Sequence, residues 1–443
     1  MPGASPTPSR TLEELETDTA RATAGTTDDL EVERVPGPLP GPLPEPRPEP
    51  PGEHRPPADR RRHGLRLPRG LGFSAAVYLA TRIPILIAIV VYLRSHPRQQ
   101  LWSIATLRDG WWYLKLANYG YSDTLRSPAT NLSDTAHSYS DWAFFPGYPL
   151  LIKATHGVTT LPYLPSTLIA ASVTGLLAVW AMYLLGETFG GVRVARGSAL
   201  LFAAWPGSAA LTFPYSEGLF LAATAGSLAL LLRRRWIAAG LLGAVATATR
   251  PTGLALVAAA LVVAVVAIVR ERDWRPLVTP ILASTGATAF VIFGWVRTGD
   301  VMAWRHAENL WGQQLDFSKE LVTTFGRMLT TLHATLASPP WRTQLIGTLV
   351  MVFGFLGLVA MAVALWRQRH RANLALVAYA LVTTFMIIGY SAVAPRPRTV
   401  LAVLPGFVWL AAWLPRRTLI IASSLLIAGL GLLAWLWMWA VIP

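Results

Sequence analysis

Cysteine does not occur in this 443-residue chain. Its absence excludes a disulfide framework and a thiolate metal site, and it leaves the redox compartment undetermined. Charge is also scarce. Asp, Glu, Lys and Arg make up 14% of the residues, against roughly 25% in soluble domains. No Walker loop, dinucleotide fingerprint or zinc motif occurs, and the histidines are too scattered to gather around a metal. No signal peptide is evident. Apolar residues are abundant instead, at 53% of the chain, so the composition predicts an all-α polytopic membrane protein. The net charge of +14 does not point to nucleic acid, because the arginines fall in short clusters between apolar segments, a topology signal.

Residues 1–63 are rich in Pro, Glu, Thr and Arg. They lack the apolar content that would offset ordering entropy, so a disordered cytoplasmic tail is expected. Arg60, Arg61, Arg62, Arg66 and Arg69 close it before the first apolar run. Residues 64–443 form the transmembrane domain. A spanning helix takes about 20 apolar residues, and about eleven segments approach that length: 72–93, 163–187, 193–211, 215–232, 235–250, 252–270, 277–297, 343–366, 373–393, 397–414 and 417–440.

With the amino terminus inside, the short inner turns carry Arg193 and Arg196; Arg233, Arg234 and Arg235; Arg270, Arg272 and Arg275; Arg367, Arg369 and Arg371; and Arg416 and Arg417. The outer turns carry only Arg250, Arg396 and Arg398, as the positive-inside rule requires. Two long loops, 94–162 and 298–342, are then extracytoplasmic. Asp109, Asp141, Glu217, Asp300, Glu308 and the three outer arginines all fall on that face. A site there implies a lipid-borne donor if sugar is handled, because nucleotide sugars are cytoplasmic.

Several residues on that face have chemistry to offer, and each also has a structural reading. Asp109 can serve as a base at the mouth of a cleft, or it can cap the helix beginning at Gly110. Trp111, Trp112, Tyr113, Tyr119 and Tyr121 can stack on a sugar ring or form an interfacial belt. Asp141 can position a substrate or bind a metal, or it can be a solvated loop carboxylate. Phe145 and Tyr148, in Phe144-Phe145-Pro146-Gly147-Tyr148-Pro149, begin either a binding wall or a re-entry into the membrane. Glu217, after Pro214-Tyr215-Ser216, needs a polar cavity because hydrocarbon would not tolerate it; capping by Ser216 is its local alternative. Arg250, Arg398 and Arg396 suit a lipid phosphate, or they snorkel to headgroups. Asp300, His306, Glu308 and Trp311 open the second loop, on the acceptor side or as a solvated interfacial helix.

Taken together these motifs resemble the PIG-V family, glycosylphosphatidylinositol mannosyltransferase II of glycosyltransferase family 76, and especially its bacterial branch. The resemblance rests on Asp109 with Tyr113-Leu114-Lys115-Leu116-Ala117 and Gly120-Tyr121; Ala143-Phe144-Phe145-Pro146-Gly147-Tyr148-Pro149; Pro214-Tyr215-Ser216-Glu217 with Phe220; Arg250-Pro251-Thr252-Gly253; Gly299-Asp300; and Pro397-Arg398 with Pro405. It implies a GT-C-type helical bundle and inverting transfer of mannose from a polyprenyl-phosphate-linked donor to a lipid or glycan acceptor. By the match Asp109 is the catalytic acid/base. The expected substrate-binding residues are Trp112, Tyr113, Tyr121, Asp141, Phe145, Tyr148, Tyr215, Glu217 and Asp300. The donor phosphate is expected on Arg250, Arg398 and Arg396. A divalent cation, magnesium or manganese, on Asp109 and Asp141 is compatible with the sequence but not required by it. The alternative activity is a transporter or flippase for a lipid-linked glycan.

Overall fold

The computed structural model describes residues 68–98, 108–125, 139–315, 341–390 and 395–441, with a few isolated positions between them. The expected disordered tail, residues 1–63, lies outside the described residues. The described chain is mainly helical, and among the described residues the only β pairing is an isolated bridge between Leu315 and Tyr390.

Fourteen helices carry the argument. They are α1 (Leu71–Ser95), α2 (Asp109–Tyr119), α3 (Gly147–Thr159), α4 (Tyr163–Ala204), α5 (Glu217–Leu232), α6 (Trp236–Thr247), α7 (Leu254–Glu271), α8 (Val278–Thr298), α9 (Ala303–Leu310), α10 (Trp341–Arg367), α11 (Leu374–Gly389), α12 (Pro397–Val400), α13 (Leu404–Trp413) and α14 (Arg416–Val441). Short 3-10 turns at Asp141–Ala143, Pro206–Leu211 and Pro251–Gly253 join some of them.

Each of the eleven expected apolar segments contains helix in its described residues, with differences in length. Six helices are long and apolar enough to cross a membrane, and four apolar helices are shorter, Glu217–Leu232, Trp236–Thr247, Leu374–Gly389 and Leu404–Trp413. The expected segments 163–187 and 193–211 form the 42-residue α4, which is interrupted at Gly190 and Gly191. Gly191 has φ +75°, the left-handed region that glycine enters without a Cβ penalty. The chain reverses there, because a Cβ on Gly186 would lie 2.9 Å from the Ala195 Cα. The 397–414 segment is also divided: α12 is a single turn begun by Pro397, and α13 restarts at Leu404 with Pro405 behind it. Proline is tolerated at both places because they are first turns.

The core lies between α4, α5, α7, α11 and α13, around Phe202, Phe220, Tyr379, Phe407 and Trp409. Much of the rest of the buried set is alanine, for example Ala195, Ala199, Ala259, Ala260 and Ala283. Small side chains suit helices in lipid, which associate by close van der Waals packing rather than by a hydrophobic driving force.

The arginine-rich turns gather at one end of the bundle. Arg233 pairs with Glu187, Arg234 makes a bidentate pair with Glu271, and Arg193 donates to the Leu414 carbonyl. Helix α5 runs from Glu217 to just before Arg233, about 24 Å at 1.5 Å per residue. Glu217 and the groups around it therefore lie at the opposite end.

Candidate active site

Four stretches far apart in sequence meet at that end. Arg398, on the single turn of α12, donates from Nε to Glu217 Oε1 at 2.5 Å and from Nη2 to Asp109 Oδ2. Arg250, in the turn before Pro251, pairs with the same Glu217 oxygen. The result is a chain of alternating charge, Asp109–Arg398–Glu217–Arg250, in which each carboxylate has an arginine. Glu217 is almost fully buried, where an unpaired carboxylate would be costly. The two arginines offset that cost.

The local helix starts release these carboxylates for the network. Asp109 is the first residue of α2, and its helix has no side-chain cap; its carboxylate goes to Arg398 instead. Ser216 precedes α5 but does not cap it. Its hydroxyl accepts from Tyr113 Oη at 2.7 Å, which ties α2 to α5. The Arg398 guanidinium lies over the Tyr215 ring, 4.4 Å from its centroid. The capping alternatives for Asp109 and Ser216 are therefore absent from the structure.

The position of Arg398 depends on backbone contacts. Trp205 Nε1 donates to the Pro397 carbonyl at 2.7 Å. Gly207 lies so close to α12 that a Cβ there would be 2.1 Å from the Pro397 oxygen and 2.7 Å from the Arg398 nitrogen. The 206–211 turn is in turn held by Arg82 of α1, a buried arginine whose guanidinium donates to the Ser208 and Ala203 carbonyls and the Ser208 and Thr212 hydroxyls. Arg82 has no carboxylate partner among the described residues.

A cavity opens over this network. Its walls include Asp109, Tyr113, Phe144, Phe145, Glu217, Thr249, Arg250, Thr252, Glu308, Trp311, Gln313, Arg398 and Thr399. Glu217 Oε2 and Thr252 Oγ1 are buried without a hydrogen-bond partner. Such orphaned acceptors and donors need an account, and substrate hydroxyls would supply one. Glu308, on α9, is 5% exposed. Burial pushes its carboxyl up to about 7, against the opposing pull of Trp304, Arg305 and Arg250.

Of the expected residues, Asp109, Tyr113, Phe145, Glu217, Arg250 and Arg398 come together in this cavity. Tyr215 lies beneath Arg398. The others do not line it. Trp112 is packed behind, stacked on Phe144 with ring centroids 5.5 Å apart. Tyr121 donates to the Phe144 carbonyl at 2.6 Å, and the Tyr148 ring is edge-on to Tyr113. Arg396 is exposed on the far side of the α12 turn. Asp300 lies in the turn before α9, accepts from the Met302 amide and contacts His306 at 2.6 Å.

Asp141 is the clearest difference from the sequence reading. It is neither solvated nor in the cavity. Fully buried, it accepts from Ser122 N and Ser122 Oγ at 3.1 and 2.8 Å, with Lys115 Nζ at 3.5 Å. Lys115 also lies over the Trp111 and Trp112 rings. Asp141 thus fixes the loop that forms the cavity wall. A divalent cation shared by Asp109 and Asp141 does not fit these residues: Asp109 is paired with Arg398, and Asp141 is turned to Ser122 and Lys115. Among the described residues no three His, Asp or Glu side chains converge.

Thr249 and Gln313 are cavity residues the sequence reading did not place there; nothing in their local pattern distinguishes them from ordinary loop or helix-end residues. Glu308 and Trp311 were open between the acceptor side and a solvated helix, and the structure puts both on the cavity.

Among the solved structures that match, two are similar to this chain at low identity. ArnT from Cupriavidus metallidurans bound to undecaprenyl phosphate is 18% identical with a TM-score of 0.49, over 80% of this chain and 63% of that one. The apo oligosaccharyltransferase of Archaeoglobus fulgidus is 13% identical with a TM-score of 0.46, over 82% of this chain and 56% of that one. This chain thus spans about three fifths of the length of these proteins. No curated protein matches. The profile of glycosyltransferase family 87 matches residues 146–391, which include Glu217, Arg250 and Glu308, with Asp109 and Arg398 on either side. That is more than half of the chain, and the protein belongs to glycosyltransferase family 87.

Proposed function

We propose that this protein is an inverting glycosyltransferase. It moves mannose from a polyprenyl-phosphate-linked donor to a lipid-linked or cell-envelope glycan acceptor on the extracytoplasmic side of the membrane. The observation that carries the reading is the cavity in which Arg250 and Arg398 stand beside Asp109 and Glu217. Two guanidinium groups at the rim of an apolar bundle suit a lipid phosphate, and their charge stabilises it most as it leaves. Mannose, and polyprenyl phosphate as its carrier, follow from the motif resemblance to the PIG-V family. The extracytoplasmic side follows from the arginine-rich turns at the opposite end.

In the proposed reaction an acceptor hydroxyl oxygen bonds to the anomeric carbon on the face opposite the phosphate. The bond from that carbon to the phosphate oxygen breaks, and its electron pair stays on the phosphate. The acceptor proton passes to a carboxylate of the cavity; by the motif match that carboxylate is Asp109. Glu217 Oε2 and Thr252 Oγ1 are free to hold sugar hydroxyls.

The test is transfer from radiolabelled polyprenyl-phospho-mannose in membranes carrying wild type or Asp109→Asn. Loss of about 10²–10⁴-fold in the variant is expected for a residue that handles the proton. Activity near wild type removes Asp109 from the reacting centre. Movement of a lipid-linked glycan across reconstituted vesicles with no new glycosidic bond favours the transporter instead.

A further inference from the structure

The cavity holds three carboxyl groups, and two of them are committed. Asp109 and Glu217 are both engaged by Arg398, and Glu217 by Arg250 as well. A carboxylate held by a guanidinium is already occupied as an acceptor. The same arginines are the groups expected on the donor phosphate, so Asp109 has a second use, to orient Arg398. The third carboxyl, Glu308, forms no ion pair with Lys or Arg among the described residues.

Glu308 is held on the cavity by its own helix. Ala303 and Ala307 of α9 are buried, and its backbone carbonyl accepts from the Trp311 and Gln313 amides, both at 3.0 Å. That turn brings Trp311 and Gln313 to the same cavity wall, and the Trp311 indole is fixed by donation to the Ser140 carbonyl at 2.9 Å. An aromatic ring, an amide and a carboxyl from one loop are the groups a sugar acceptor would meet.

Resting on the transfer reading above, and replacing the proton acceptor that the motif match gives, we propose that Glu308 rather than Asp109 takes the acceptor hydroxyl's proton, while Asp109 holds Arg398 on the donor phosphate. The proton leaves the acceptor oxygen for the Glu308 carboxylate as that oxygen bonds to the anomeric carbon. Glu308 afterwards releases it to water through the cavity mouth. The position of the carboxyl agrees with its titration: burial raises it to about 7, close to the value that serves a base at neutral pH. The groups that bear on it are Trp304 and Arg305 of its own helix and Arg250 across the cavity. In the 141–143 turn packed beneath, Asp141 is turned to Ser122 and Lys115. At the end of α8, Arg297 is paired with Asp123.

The experiment uses the full chain in proteoliposomes, with polyprenyl-phospho-mannose as donor and an alkyl mannoside as acceptor probe, over pH 5 to 9. Wild type is expected to lose kcat/KM about tenfold per pH unit below about 7, as one base is protonated. Glu308→Gln is expected to fall by about 10²–10⁴-fold and to lose that acid limb. Glu308→Asp, which keeps the carboxyl, is expected to recover part of the rate and a limb of its own. Glu308→Gln with wild-type rate, or with the acid limb intact, overturns the assignment and leaves the glycosyltransferase reading standing. Wild type without transfer at any pH overturns that reading, and this one with it.

Discussion

Gly207 has no chemistry to contribute, yet the structure makes it decisive for Arg398. A Cβ at Gly207 would stand 2.1 Å from the Pro397 oxygen, where ordinary contact begins at 3.4 Å. The obstruction on both sides is backbone, so it cannot be relieved by a side-chain rotation. In Gly207→Ala, therefore, the α12 turn must retreat by about 1.3 Å, the shortfall between those two distances, and Arg398 moves with it. Misplacement of a reacting group by about 1 Å costs on the order of 10²-fold in rate. Transfer from polyprenyl-phospho-mannose by Gly207→Ala should fall by about that factor, with donor affinity also weakened. Gly72→Ala is the control, because a Cβ there meets nothing within 4 Å and should leave the rate unchanged. Trp205→Phe, which removes only the 2.7 Å bond to the Pro397 carbonyl, should give a smaller loss in a chain that still folds. Wild-type transfer by Gly207→Ala would refute the claim that the 206–211 turn sets the position of Arg398.

Arg398→Lys keeps the charge but cannot serve Asp109 and Glu217 together, because an ammonium lacks the guanidinium fork. A fall of about 10²–10³-fold in kcat is expected, and a loss under tenfold would show that a single positive charge suffices. Asp141→Ala strands Lys115 and the Ser122 donors in a buried place; a cost of about 2–3 kcal/mol is expected. It should appear as a lower thermal midpoint in detergent with kcat nearly intact, and the reverse pattern would return Asp141 to the chemistry. Glu308 makes a pH-dependent contribution of defined sign. Its folded pKa, about 7, lies above the unfolded value of 4.5, so the unfolded chain binds fewer protons between them and stability falls as pH rises through that window. Glu308→Gln should therefore raise the thermal midpoint relative to wild type more at pH 8 than at pH 4.5. An equal shift at both pH values would rule out a buried titrating carboxyl.

The helical segments were legible because apolar length and arginine-bearing turns are local properties of the sequence. The reversal between residues 187 and 193 was legible for the same reason, as a break between two apolar runs beside Arg193 and Arg196. The exact spans were not, since a 12-residue helix such as α6 is sheltered by neighbours that local hydropathy does not reveal. Asp109, Glu217, Arg250 and Arg398 could be assigned to one face by counting turns, but their mutual pairing could not, because Arg398 and Asp109 are 289 residues apart. Asp141 misled for a related reason. An acid in a polar loop reads as solvated until Ser122 and Lys115 are seen to enclose it. Glu308 had no sequence signal beyond its place in the loop, since its raised titration is a consequence of burial that only the fold supplies.

Arg82 has a consequence for the order in which the molecule can be built. It lies near the middle of α1, where a lone arginine in a bilayer costs about 2.5–3.5 kcal/mol on insertion scales. Its partners, the carbonyls and hydroxyls of Ala203, Ser208 and Thr212, come 121 to 130 residues later. Arg82 therefore gains these partners only once the 203–212 segment is in place, so the first helix and the turn beside Arg398 are completed together.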